Sequence, residues 1–323
     1  MKKIIYISWA ENCSRSDHTA RELGGKSFMV YLPNLGSKPS TIIFKYIGQF
    51  FMTMRIILRE KPDAIFVMSP PIFAVLPAWL YKVFTGTPFV IDTHTAALLM
   101  PRWRKFQWLQ FWLGRRAATT LVTNEHLAQY INNGGAATTI VRDVPVVYQE
   151  SEKFPMNGSF NVAAVCSFNY DEPIKEMFQA AAKLDNVHFY CTGNPKHLKP
   201  DVLAVKPDNV TLTGFISDAA YGDLVSNADA VMTLTTRDHT MLRAAWEAIY
   251  QATPVIISDW PILRENFPTG AQHVENSDDG IADGIKRLQE DYAQHKKGAE
   301  ELRNKKFDRW EETKKEIIER LGI

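Results

Sequence analysis

The chain has 323 residues, 46% of them hydrophobic and 23% charged; this is too long for one ordinary core, fits two α/β domains of about 150 residues each, and excludes bulk disorder. The net charge of +1 hides an asymmetry, since residues 1–150 carry 17 Lys and Arg against 9 Asp and Glu, a net of +8, while residues 151–323 carry 20 against 27, a net of −7. The first half is expected to face an anionic partner such as a membrane surface, a phosphorylated lipid or nucleic acid, and Cys13, Cys166 and Cys191 are too few and scattered for a disulfide framework or a zinc site.

The opening apolar run stops at Trp9-Ala10-Glu11-Asn12, too early for a signal peptide. The hydrophobic stretch 64–91 contains Pro70, Pro71, Pro77 and Pro88, which fits strand, loop, helix and strand better than one membrane span. A cytoplasmic protein is expected. Short apolar runs then alternate with segments of helical period, the signature of βαβ units and parallel sheets. In the first half the pattern predicts strands at 3–8, 27–31, 64–68, 89–92, 119–122 and 139–141. Helices are predicted at 16–23, 40–59, 74–85, 104–117 and 124–132. A polar segment without periodicity, 148–158, reads as a linker and divides the chain into domains 1–150 and 151–323. Strands follow at 160–166, 187–191, 210–213, 230–234 and 254–257, with helices at 174–184, 219–227, 240–251, 280–289 and 292–321.

Open α/β sheets bind ligands outside the carboxyl ends of their strands, so the loops there carry the candidates. After the first strand, Ser16 or Asp17 suits the cap of the next helix, and Arg15 either pairs with a phosphate near that helix end or is a surface arginine. The GxGxxG fingerprint is absent from this loop. Ser69-Pro70-Pro71 follows the third strand, and Ile91-Asp92-Thr93-His94 follows the fourth. Asp92 and His94 stand two apart at a strand end; together they suit general-base work on a hydroxyl, or else a turn cap and a backbone hydrogen bond. From Arg102 to Arg116, Trp103, Phe106, Trp108, Phe111 and Trp112 mingle with basic residues, as in a helix lying on anionic lipid. The 40–59 helix repeats that theme with Phe51, Met52 and Met54 beside Lys45, Arg55 and Arg59. No nucleic-acid module motif appears, so nucleic acid is not expected as partner.

In the second half, Gly193 after a strand permits close backbone approach to a ligand. The loop Thr235-Thr236-Arg237-Asp238-His239-Thr240 opens a helix from Met241 whose free N–H groups and dipole suit a diphosphate. Glu247, two turns in and flanked by Ala244-Ala245 and Ala248-Ile249, needs a ligand or an arginine as partner, and suits a ribose diol.

The run Trp246-Glu247-Ala248-Ile249-Tyr250-Gln251-Ala252-Thr253-Pro254-Val255-Ile256-Ile257-Ser258 resembles the GT-B glycosyltransferases, particularly the large group 1 (family 4) enzymes. Their pattern is Glu-Ala-x-x-x-Gly-x-Pro-Val-Ile followed by Ala or Ser, and the Glu grips the donor ribose. Glu247 matches it; Gln251-Ala252 stands where glycine is usual, and His239 takes the place of a second Glu eight residues earlier. Arg237, Asp238 or His239 stand in for that carboxylate, which in the family contacts the transferred sugar. Ser14-Arg15-Ser16, Ser69-Pro70-Pro71, Val90-Ile91-Asp92-Thr93-His94, Val122-Thr123-Asn124-Glu125 and Arg142-Asp143-Val144-Pro145 occur in an order similar to the chitobiosyldiphosphodolichol β-mannosyltransferases.

These resemblances imply a GT-B fold, two Rossmann-like doubly wound domains facing across a cleft, with the last helix (306–321, anchored by Phe307 and Trp310) returning to the first domain. They imply a metal-independent hexosyltransferase without a cofactor, whose substrates are a nucleoside-diphosphate sugar and a polyprenyl-diphosphate-linked saccharide. Its expected setting is bacterial cell-surface polysaccharide or glycan synthesis, on the inner face of the membrane through the Arg102–Arg116 region. Asp92 and His94 are the expected catalytic pair. Arg15, Ser16 and Ser69 are placed on the acceptor side, and Gly193, Arg237, Asp238, His239, Thr240, Met241 and Glu247 on the donor side. Two alternatives stay open, a catalytically degenerate GT-B subunit that binds a true transferase and a nucleotide-sugar epimerase.

Overall fold

The computed structural model describes residues 2–33, 35, 39–148, 152–238 and 240–323. The chain divides into two compact units, one of Met1–Pro145 with Asp308–Ile323, the other of Val146–Phe307.

The first unit runs β1 (Ile4–Ser8), α1 (Ser14–Glu22), β2 (Lys26–Met29), α2 (Pro39–Glu60), β3 (Ala64–Ser69), α3 (Leu76–Thr85), β4 (Phe89–Thr93), α4 (Thr95–Leu99), α5 (Gln107–Gly114), β5 (Thr119–Val122), α6 (Glu125–Asn133) and β6 (Thr138–Ile140). Its strands form a parallel six-stranded sheet in the order β2-β1-β3-β4-β5-β6. Alternation along the strands makes two cores from one sheet. Ile5, Ile7, Ile65, Val67, Phe89 and Ile91 face one way and pack with Ile57 of α2, Ala78 of α3 and Leu109 and Leu113 of α5. Ile4, Tyr6, Ala64, Phe66, Val90 and Leu121 face the other way, onto Ala20 of α1 and onto Trp310, Ile317 and Leu321 from the end of the chain.

The second unit continues β7 (Phe160–Ala164), α7 (Ile174–Ala181), β8 (Val187–Thr192), α8 (Pro200–Leu203), β9 (Val210–Gly214), α9 (Asp218–Asn227), β10 (Ala230–Thr233), α10 (Arg243–Tyr250), β11 (Val255–Ser258), α11 (Pro261–Asn266), β12 (Ala271–Val274), α12 (Asp278–Glu290) and α13 (Tyr292–Leu321). Its parallel sheet has the order β12-β11-β10-β7-β8-β9. Counted from its own first strand this is the doubly wound order 3-2-1-4-5-6, with its switch point between β7 and β10; in the first sheet the switch point lies between β1 and β3. Of α13, the residues up to Phe307 belong to the second unit, where Phe307 packs on Tyr250, and those from Asp308 belong to the first.

Besides the short helices α4, α8 and α11, which the sequence pattern does not predict, three elements differ from the sequence expectation. The helix expected over 104–117 is a 3-10 turn, Pro101–Phe106, followed by the short α5. Its aromatics turn inward, Phe106 onto Phe73, Trp112 onto Trp79 and Phe111 onto Tyr130, and of the five only Trp108 is exposed. This corrects the Arg102–Arg116 segment from one helix to a corner whose aromatics are mostly packed, while Arg102, Arg104, Lys105, Trp108, Arg115 and Arg116 stay exposed. The helix expected from Thr240 or Met241 starts at Arg243, because Leu242 takes the extended N-cap conformation. The edge strand β12, Ala-Gln-His-Val, buries only Val274 and so shows no apolar run to find.

Candidate functional site

In the first unit the carboxyl end of β4 carries a buried polar cluster of Asp92, Arg15, Tyr6 and His94. Asp92 shares a sheet face with Val90 and Tyr6, so its carboxylate points into the core side and is fully buried. Such a charge needs a partner, and it has three neighbours. Arg15, in the first turn of α1, donates Nε to Oδ2 at 2.9 Å and a second guanidinium nitrogen to Oδ1 at 3.1 Å, and Tyr6 donates its hydroxyl at 2.5 Å. Burial pushes the Asp92 pKa up, but Arg15, His94 and the two side-chain hydrogen bonds outweigh it and hold the carboxylate below its ordinary value. The reading of Asp92 as the proton acceptor is thereby corrected: both its oxygens are spoken for and it is shielded from solvent.

His94, at the N-cap of α4, is placed differently. Its Nε2 is buried, 3.8 Å from Asp92 Oδ2, and has no hydrogen-bond partner. Burial lowers its pKa, Asp92 opposes the shift and Arg15 adds to it, so the imidazole is neutral near pH 7. At 3.8 Å Asp92 is too far to fix the tautomer by a hydrogen bond, while the side chain is 30% exposed and open to a hydroxyl.

Ser16 and Ser69 are corrected as acceptor contacts. Both are fully buried; Ser16 Oγ lies 2.6 Å from Ser8 Oγ, and Ser69 donates to Gln110 Oε1 at 3.2 Å. They lock α1 and α5 to the strand ends. A groove of about 250 Å³ runs between α4, α5 and α6, lined by Leu98, Leu99, Met100, Arg104, His126 and Tyr130 among others.

In the second unit the loops after β7 and β10 meet at the switch point. Thr236 N–H donates to Asp171 O at 2.7 Å, Arg237 Nε lies 3.7 Å from Asp171 Oδ2, and the Arg237 guanidinium sits over the Tyr170 ring at 4.8 Å. Tyr170 is 81% exposed. The β7 loop passes through Phe168 at φ 59°, a left-handed conformation that a non-glycine residue adopts at a cost. Gly193 faces it, and a Cβ there would lie 2.4 Å from the Cys166 carbonyl oxygen. The close approach at Gly193 is therefore to the chain itself, which corrects its assignment to a ligand. Glu172 accepts from the Ser167 and Asn169 N–H groups, so this loop's donors are filled from within.

The start of α10 has neither a side-chain cap nor an acidic residue in its first turn. Thr240 and Met241 precede it in the loop, Asp238 lies in a turn, and His239 lies outside the described residues. Glu247 is 5% exposed; Arg243 donates Nε to its Oε1 at 2.7 Å and Tyr221 of α9 donates to Oε2 at 2.6 Å. Tyr148 completes the cluster, its hydroxyl pKa raised by burial and by Glu247. A Cβ at Gly222 would lie 2.7 Å from the Tyr148 side chain, so only glycine lets that ring rest on α9. Near the same strand ends a cavity of about 440 Å³ is lined by Thr236, Asp259, Trp260, Val274, Glu275 and Asn276. Trp260 Nε1 and Asn276 Nδ2 both donate to the Thr235 carbonyl, at 2.9 and 2.8 Å, which fixes that lining. Among the described residues no group of three or more His, Cys, Asp or Glu is placed to hold a metal ion.

Sequence reasoning located Glu247 but not its partners Tyr221 and Tyr148, which come from other elements. Arg243 was legible, four residues before Glu247 on one helix face. Asp171 and Tyr170 are brought to Arg237 by loop geometry that leaves no periodic signal.

Residues 17–146 match the family model described as a glycosyl transferase 4-like domain. No curated protein matches the chain in sequence. Solved structures are similar across the whole length. A glycosyltransferase from Rickettsia africae has a TM-score of 0.64 at 14% identity, covering 98% of this chain and 99% of its own. A sucrose-phosphate synthase from Thermosynechococcus elongatus has 0.63 at 14%, covering 98% and 97%. HepE from Anabaena, solved with UDP and glucose, has 0.63 at 13%, covering 100% of both chains. The chain thus has the fold of these GT-B structures, two units each built on a parallel six-stranded sheet, and residues 17–146 resemble the glycosyl transferase 4-like domain.

Proposed function

We propose that the protein is a hexosyltransferase that moves a sugar from a nucleoside diphosphate to a saccharide carried on a polyprenyl diphosphate, in the synthesis of a bacterial surface polysaccharide or glycan. The observation that carries the donor half is Glu247, a buried carboxylate whose arginine partner is 56% exposed, on an uncapped helix near an open cavity at the sheet's carboxyl ends. That cavity has the size of a small-ligand site. Glu247 accepts the ribose hydroxyls when Arg243 swings away, and the α10 N–H groups with Arg237 take the diphosphate charge. The solved relative that carries UDP and glucose supports this choice of donor.

The first unit supplies the acceptor side. Its groove beside α4 combines apolar walls with Arg104 and His126, which suits an amphiphile with an anionic head. In the transfer the anomeric carbon–oxygen bond to the diphosphate breaks, the bond to the acceptor hydroxyl oxygen forms, and the nucleoside diphosphate departs. On an inverting course His94 takes the hydroxyl proton while Asp92 stabilises the imidazolium. On a retaining course His94 positions the acceptor hydroxyl, and the anomeric configuration of the product distinguishes the two. No metal or cofactor is assigned to either course. Such an acceptor places the protein in the cytoplasm, attached peripherally to the inner face of the membrane.

The test is a panel of nucleoside-diphosphate sugars against the purified chain by thermal shift, followed by turnover with a polyprenyl-diphosphate saccharide. One donor is expected to raise Tm by mass action and to lose that effect in Glu247→Ala. A donor that shifts wild type and Glu247→Ala equally overturns the assignment.

A further inference from the structure

Helix α2 presents an apolar face that the first unit does not cover. Ile43 is 63% exposed, Phe44 67%, Ile47 49%, Phe51 67% and Leu58 56%. With Met54 they fall within an arc of about 100° of the helix, the width of a core-facing stripe, yet this one faces outward. Arg55 and Arg59 continue the surface on one flank, with Lys45 behind them. The opposite side of the helix is fixed to the sheet. Gln49 donates to the Val30 carbonyl at 2.7 Å, Trp9 donates to Thr53 at 2.8 Å, and Ile57 is fully buried.

We propose that α2 lies in the plane of an anionic bilayer, with Phe44, Ile47, Phe51 and Leu58 inserted among the acyl chains and Arg55 and Arg59 at the phosphates. The helix is long and apolar enough to cross a membrane by length and composition, but crossing would tear Gln49, Thr53 and Ile57 from the sheet. Lying flat keeps those bonds and buries the exposed stripe over about 33 Å of helix. A second copy is the poorer occupant. A two-fold contact along this stripe would set rows of Lys and Arg against one another, and the acid of α2, Glu60, is already paired with Lys3 at 3.0 Å. The excess of positive charge in residues 1–150 points the same way.

This inference rests on the proposed membrane-borne acceptor for its purpose only, since vesicle binding is read without donor or acceptor. The test is flotation with phosphatidylcholine vesicles with and without phosphatidylglycerol, at low and high salt. Wild type is expected to float with the anionic vesicles and to be released by salt. Arg55→Gln and Arg59→Gln should each weaken binding about fivefold, and Phe51→Glu tenfold or more. Phe215→Glu, on an 84% exposed residue of the second unit, should float as wild type does. Circular dichroism and donor binding should be unchanged in the α2 variants, which separates lost docking from lost folding or lost function. Wild type that stays unbound at low salt, or Phe51→Glu that floats normally, overturns the proposal. So does a wild-type dimer in solution that Phe51→Glu dissociates without any vesicle binding.

Discussion

Each unit buries one carboxylate between an arginine and a tyrosine, and the two clusters differ in what can leave. Asp92 is fully buried and gripped through both oxygens by Arg15, whose side chain is 23% exposed. Glu247 is nearly as buried, and Arg243 donates Nε to it from a side chain 56% exposed. Withdrawing Arg15 would leave two desolvated charges, whereas withdrawing Arg243 would leave one, the Glu247 carboxylate, which a ligand's hydroxyls could then satisfy. The same three side-chain types therefore make a support held through both carboxylate oxygens in one unit and, in the function proposed above, a ligand grip in the other. His94, 30% exposed against 0% for Asp92, is open to solvent where Asp92 is not, and the proposed function gives it the acceptor hydroxyl.

The largest expected effect tests the Asp92 cluster. Asp92→Asn leaves Arg15 without its counter-charge and should cost about 3–5 kcal/mol in urea denaturation. The double change Asp92→Leu with Arg15→Met should recover most of that stability, which a ligand-binding role for Asp92 would not predict. Next comes His94→Gln, expected to fold normally. If His94 takes the proton, kcat falls by about 10²- to 10⁴-fold with donor affinity intact; if it positions the acceptor, the loss appears mainly in the acceptor KM. The Glu247 cluster predicts the reverse balance of stability and binding. Glu247→Gln should change stability by less than about 1 kcal/mol while weakening nucleoside-diphosphate sugar binding about ten- to a hundredfold, measured by calorimetry. A Glu247→Gln protein as destabilised as Asp92→Asn would erase the distinction.

Much of this was legible in the sequence, and the failures share a cause. The buried strands announced themselves because parallel strands covered on both faces read as apolar runs, while the edge strand β12, with one buried residue, did not. Glu247 was legible because alanines flank it, and a carboxylate in an apolar helix face demands a partner. Ser16 and Ser69 were misread because a serine after a strand looks solvent-facing. Only the three-dimensional neighbours, Ser8 and Gln110, show that their hydroxyls are used inside. The 101–116 segment was misread as one helix for a related reason, since its interleaved aromatics also serve a packed corner, Phe106 on Phe73 and Trp112 on Trp79.

The smallest effect probes the same contrast through pH. Burial lowers the pKa of His94 in the first unit and of His273 and His295 in the second. A depressed histidine stays neutral in the folded chain at pH values where the unfolded chain has taken up a proton, so the unfolded state binds more protons in that window. Stability is then full above about pH 6.5 and declines as pH falls through the folded-state pKa values, at most about 1.4 kcal/mol per pH unit for each histidine. Asp92 works against none of this, because its own lowered pKa keeps it ionised until more acidic conditions. Chemical denaturation between pH 5 and 7.5 should show that slope, and His94→Gln should flatten it by one histidine's share. His94 would instead be a protonated partner of Asp92 if the variant steepened the slope, and the neutral base beside a fixed carboxylate would have to be abandoned.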